Sequence, residues 1–154
     1  GASTDTCNRI ARLLDAAGIP ASTVYDIRPH LWGKLIANAA INPVAALLDR
    51  PNSVVLDDPN ASEIARSLAQ EAATVANAVR IALPFSDPWS YVRTIVEQTG
   101  SMHNSMVADL NAGGRTEIDF INGAVVATGR RAAVPTPYNE TIVRLVKARE
   151  AARR

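Results

Sequence analysis

A single cysteine, Cys7, is all the thiol chemistry this chain of 154 residues carries. That excludes an internal disulfide framework and a cysteine-based zinc site, and it fits a reducing, cytoplasmic setting. Net charge is equally scant: a formal value of +1 gives no bulk argument for nucleic acid or a membrane surface as partner. No apolar run reaches membrane-spanning length uninterrupted, because Lys34, Asn38, Asn42 and Pro43 break the longest one. No signal-peptide pattern opens the chain, and Gly1 is compatible with a tag scar on a piece of a longer protein. Repeats, low-complexity stretches, glycine-rich phosphate loops and alternating strand patterns of any length are all missing. What remains, 47% hydrophobic and 20% charged, is the composition of one folded soluble domain.

Nearly every periodic stretch reads as helix. Residues 5 to 17 place Ile10, Leu13, Leu14 and Ala17 at helical spacing, with Ser3 or Thr4 as cap and Gly18 as stop. The stretch 23–27 can run extended. A central helix starts near Pro29, is expected to kink at Pro43, and ends at Arg50-Pro51-Asn52. Asp58 and Pro59 open another, striped by Ile64, Leu68, Ala72, Val75 and Val79. Shorter helices follow over 89–99 and 105–110, the second stopped by Gly113-Gly114. Thr116 with Asp119 resembles a capping box opening a helix through Val126. The last helix, with Ile142, Leu145 and Val146, is expected to fray into the sequence AREAARR. The fold class is therefore all-α: a helical bundle around a long kinked central helix.

That central stretch, residues 31–48, carries Lys34, Asn38 and Asn42 in an otherwise apolar run. Spacing of four rotates a helix by only about 40° per step, so the three side chains form one stripe. A lysine on a helix is usually a solvated charge. Flanked by Trp32, Leu35 and Ile36, it is equally readable as a desolvated amine with a lowered pKa, fit to act as a general acid or Schiff-base former. Asn38 and Asn42 either satisfy backbone carbonyls at the kink or recognise a small polar ligand.

The second constellation lies within residues 103–119. Glu117 falls in what reads as a helical first turn, where a carboxylate is favoured by exposed N–H groups; it is a cap or a functional acid. Ser105 is a cap, a packing residue or a ligand contact. His30 and His103 have no second ligand at metal spacing, so no metal site is expected.

These residues are familiar together. LWGKLIANAAINPVAALLDRPN resembles the lysine helix of the ketopantoate reductases (2-dehydropantoate 2-reductases). NSMVADLNAGGRTEIDFINGAVV resembles the same family's Ser-Met, Thr-Glu-Ile-Asp and Asn-Gly motifs, and VPTPYNETIVRLVK its closing helix. Order and spacing match over about residues 5 to 148. The resemblance implies two domains in the whole protein. One is an N-terminal Rossmann domain that binds NADPH and is absent from this chain. The other is a C-terminal helical domain like that of 6-phosphogluconate dehydrogenase, represented by residues 1–154. It also implies roles: Lys34 and Glu117 catalytic, with Asn38, Asn42 and Ser105 on the substrate. Of the two Ser-Met pairs, spacing to Glu117 selects Ser105.

The implied reaction is reduction of ketopantoate to pantoate in pantothenate biosynthesis. Lys34 would donate the proton; an ionised Glu117 would favour its ammonium form or bind a substrate hydroxyl. The isolated domain would be inactive, and its uncovered apolar surface could drive homodimerisation. Two other readings stay open: a stand-alone helical interaction module derived from this fold, and a reductase for another 2-oxo acid or opine-type substrate.

Overall fold

The computed structural model describes residues 4–152, so the expected cap at Ser3 and the final residues 153–154 lie outside the described residues. Every regular element among them is a helix. In chain order these are α1 (Thr4–Ala16), α2 (Arg28–Leu48), α3 (Val54–Asp57), α4 (Pro59–Ala78), α5 (Pro88–Thr99), α6 (Ser105–Asn111), α7 (Asn122–Arg131) and α8 (Pro137–Ala151). The stretch 23–27 forms no strand and is coil. Helix α3, a single turn, was too short to show a period and was not anticipated.

Helix α2 is the axis of the bundle, packed against α3, α4, α5, α6 and α8. Its residues Ile36, Ala39, Ala40 and Ala45 are fully buried. By length and composition alone α2 could cross a membrane, but most of its apolar window is buried inside this bundle, as in a core helix. Small side chains allow the close approach: Ala65, Ala69, Ala72 and Ala76 on α4 are all at zero exposure. Leu68 and Val75 complete the buried stripe foreseen on α4, while Ile64 and Val79 at its ends stay partly exposed. Near the start of α2, Gly33 leaves room for the stacked pair Phe85 and Tyr91, whose ring centroids lie 4.1 Å apart.

The helix ends follow their local chemistry. Asp58 Oδ1 accepts from the backbone N–H groups of Asn60 and Ala61, both at 2.9 Å, capping α4 as expected. Asp58→Ala is expected to destabilise the domain by about 1 kcal/mol, measured by denaturant unfolding; an unchanged midpoint would deny the cap. Gly18, at φ +78°, closes α1 in the left-handed region, with the Ile19 N–H returning to the Leu14 carbonyl. Asp49, at φ 52°, does the same for α2.

One expectation about the helices needs correction. Helix α8 does not fray where its charges begin; it holds to Ala151 because its last turns are tied to the turn at residues 116–119. Pro43 lies inside α2, where the sequence placed it within one long helix, and α2 continues through it with one backbone donor missing. The Ala39 carbonyl, four residues back, instead accepts from the side-chain amide of Asn122 at 3.0 Å.

Helix α1 stands apart from this core. None of its residues is buried, and Ile10, Leu13 and Leu14 present an exposed apolar face. The Thr23 hydroxyl in the following connector donates to Asn8 Oδ1 of α1 at 2.7 Å.

Candidate functional site

The stripe on α2 forms as its spacing requires, and burial is graded along it. Lys34 is exposed, Asn38 half-buried and Asn42 buried, at 8% exposure. The three span roughly 12 Å of helix, at 1.5 Å per residue. The desolvated surround expected for Lys34 from its apolar flanks is not provided by this chain. Trp32 and Leu35 pack into the core, while Lys34 points from the uncovered side. Among the described residues, Lys34, Asn38 and Asn42 make no side-chain hydrogen bond or ion pair. This sets the two asparagines apart from Asn52, Asn122 and Asn139, which are buried and bonded within the fold.

At the head of α2, Asp26 accepts from the Arg28 side chain at 2.8 to 3.1 Å and from its backbone N–H at 2.9 Å. The Arg28 side-chain bonds, then its backbone bond, hold the Asp26 carboxyl below its ordinary range. Arg28 is raised in turn, chiefly by the side-chain bond to Asp26. Both groups are solvent-exposed, so this pair shapes the entry to the helix more than it stabilises the fold.

Ser105 opens α6, which packs on α2. It does not cap the helix: Asn104 does, its Oδ1 accepting from the Val107 N–H at 3.2 Å. Asn104 also donates to Asn52 Oδ1 at 2.9 Å, and the Asn52 N–H returns to the Met102 carbonyl at 3.0 Å. The loop delivering Ser105 is thereby fastened to the turn after α2. Ser105 itself is exposed.

Glu117 lies in a turn rather than in a helical first turn, because α7 starts five residues later, at Asn122. The expected capping box does not form. The Thr116 hydroxyl donates to Glu150 at 2.7 Å and accepts from the Ile118 N–H at 3.2 Å. Asp119 pairs with Lys147 at 2.6 Å instead of turning back on Thr116. These two ties to α8 bracket Glu117 and leave its carboxylate exposed, with no side-chain partner among the described residues. No direct bond joins Glu117 or Ser105 to Lys34. Four of the five residues stand on helices α2 and α6 of one bundle, and Glu117 on the turn before α7. A cleft of about 640 Å³ lies elsewhere, between the end of α2, the start of α4 and α8.

Among the described residues no three His, Cys, Asp or Glu side chains gather for a metal ion. The contribution missed from the sequence is the buried pair Asn122 and Asn139. The signal was present: a helix-interior proline leaves a carbonyl that some donor must meet.

The chain is an all-helical bundle whose central helix presents a stripe of one amine and two amides. Comparison with known proteins gives its family. Residues 26–150 match the family model described as ketopantoate reductase PanE/ApbA C terminal, and the chain belongs to that family. A curated relative, the 2-dehydropantoate 2-reductase of Pyrobaculum aerophilum, is 41% identical over 141 residues, covering 92% of this chain and 50% of that protein. The crystal structure of a PanE/ApbA family ketopantoate reductase from Ralstonia eutropha superposes with a TM-score of 0.87 at 32% identity, over 95% of this chain and 49% of that one. A D-mandelate dehydrogenase solved with NADH and anilino(oxo)acetate superposes at 0.89 with 26% identity, over 97% of this chain and 49% of the other. The chain thus spans about half the length of the curated relatives it matches.

Proposed function

We propose that this chain is the substrate-side domain of an NADPH-dependent reductase that converts ketopantoate to pantoate. The observation that carries the reading is the set of open groups: Lys34, Asn38, Asn42, Ser105 and Glu117, none with a side-chain partner inside the described fold. Asn42 carries this furthest: the residue is 8% exposed, no side chain of the fold bonds its amide, and that amide is left to solvent or a ligand.

The second wall is an N-terminal Rossmann domain. Its contact with this chain includes the exposed apolar face of α1, which lies outside the residues that match the family model. No glycine-rich strand-to-helix turn occurs among the described residues, so a dinucleotide's pyrophosphate has no cradle here; the open stripe fits the substrate side of the cleft. NADPH, held chiefly by the other domain, supplies hydride to C2 of the oxo acid. The residues of this chain do the rest. Lys34, as ammonium, stabilises negative charge developing on the C2 oxygen and gives it a proton. Asn38, Asn42 and Ser105 hold the carboxylate and hydroxyl groups in line for transfer. Glu117 binds a substrate hydroxyl or orients Lys34.

The test is NADPH oxidation with ketopantoate by the full-length protein and by this chain alone. Turnover by the full-length protein only is expected. Turnover by neither, with cofactor still bound, would overturn ketopantoate as substrate. The likeness to D-mandelate dehydrogenase favours a second reading in that case, reduction of a different 2-oxo acid, tested with a panel of such acids under the same assay.

A further inference from the structure

The two halves of the candidate site come from stretches about 70 residues apart in sequence, 34–42 and 105–117. Besides the packing of α6 on α2, one fully buried side chain ties the start of α7, just after the later stretch, to α2. Asn122 is at zero exposure, five residues after Glu117 at the start of α7. Its amide nitrogen donates to the Ala39 carbonyl at 3.0 Å and to Asn139 Oδ1 at 2.9 Å. Asn139, also at zero exposure, donates to Glu71 Oε2 at 2.8 Å and to the Leu68 carbonyl at 3.3 Å. Helices α2, α7, α8 and α4 thus meet through one short chain of amides.

The bond to Ala39 falls at a particular place. Pro43 has no N–H to offer that carbonyl, and Ala39 lies directly after Asn38 and three residues before Asn42. The bond also does what packing does not, since α7 packs chiefly on α8 and α4. Its cost is visible in the same side chain: Asn122 Oδ1 is buried without a partner. A group kept in the core at that penalty is held for its donor.

We propose that Asn122 is a positioning residue for the stripe. It stands in for the backbone donor that Pro43 removes. In doing so it fixes the α2 backbone between Asn38 and Asn42 against the turn that carries Glu117. The consequence for substrate rests on the reading above; the consequence for α2 does not.

The experiment uses the full-length protein with Asn122→Leu, the pair Asn122→Leu with Pro43→Ala, and Glu71→Ala. Asn122→Leu is expected to raise KM for the 2-oxo acid about tenfold, leave KM for NADPH unchanged and speed amide exchange in α2 on either side of Pro43. Adding Pro43→Ala restores a backbone donor to Ala39 and should recover most of both effects. Glu71→Ala, which breaks the distal end of the amide chain, should lower stability while leaving KM in place. Equal KM changes in Asn122→Leu and Glu71→Ala would reduce Asn122 to a stabilising residue and overturn the proposal. Unchanged exchange in α2 would overturn it as well. Should the wild-type protein reduce no 2-oxo acid, the functional reading falls, and the exchange measurement still decides whether Asn122 holds α2.

Discussion

Replacing Lys34 with alanine in the full-length protein is expected to lower turnover at least about a hundredfold, the scale of a lost general acid. The structure makes this a clean test. Lys34 is exposed and makes no ion pair or side-chain hydrogen bond among the described residues, so its removal should change stability by no more than about 0.5 kcal/mol. A loss of rate without a loss of fold then reports on chemistry. Small primary amines added to the variant should recover part of the rate, because they return a proton donor to the space the side chain left. Near-normal turnover by Lys34→Ala would remove it from the mechanism and leave the stripe with a purely binding role.

The largest expected effect on stability comes from adding one carbon atom. Gly129 lies in α7 where that helix crosses α4 and the segment before α8. A Cβ built there would sit 2.9 Å from both the Val134 carbonyl oxygen and Thr136 Cγ2, and 3.2 Å from Val75 Cγ2. The nearest of these includes backbone, which cannot rotate aside. Gly129→Ala is expected to cost about 3 kcal/mol, the upper range for overpacking, and to lower Tm by roughly 10 °C. Gly113→Ala is the useful comparison. It has φ +71° but nothing within 4 Å, so only the backbone penalty applies, about 1 kcal/mol. Equal midpoints for the two variants would mean that α7 can shift, and that the contact at Gly129 is not a fixed one.

The helices were legible because each repeats its apolar positions at a period no other element shares. The caps at Asp58 and Gly18 were legible because both act on backbone within a few residues. Thr116 was misread for the complementary reason. Its hydroxyl is engaged by Glu150, 34 residues away, and no local pattern carries that pairing. The alignment of Lys34, Asn38 and Asn42 was correct, but their burial was not legible. Which face of a helix is covered depends on what packs there, and composition around Lys34 reports only that apolar residues are near in sequence. The Ala39 bond shows a middle case. The missing donor at Pro43 could be read directly, whereas its replacement by Asn122, 83 residues from Ala39, could not.

In the two-domain arrangement proposed above, the graded exposure of the stripe would give closure an electrostatic task. With Lys34 in water and the neutral amide of Asn42 at the buried end, the open domain holds its one stripe charge where hydration already stabilises it. A second wall closing over the stripe would exclude that water. A charge pair at fixed separation is then worth roughly four times more as the effective dielectric falls from about 80 to about 20. In the two-domain enzyme proposed above, the pull of Lys34 on a substrate anion would therefore be weak while the cleft admits ligands and strong once it shuts. Salt would expose this timing: raising ionic strength should slow capture of the anion by the open form and leave the step after closure nearly untouched. An equal salt effect on both stages would mean that the lysine stays in water throughout.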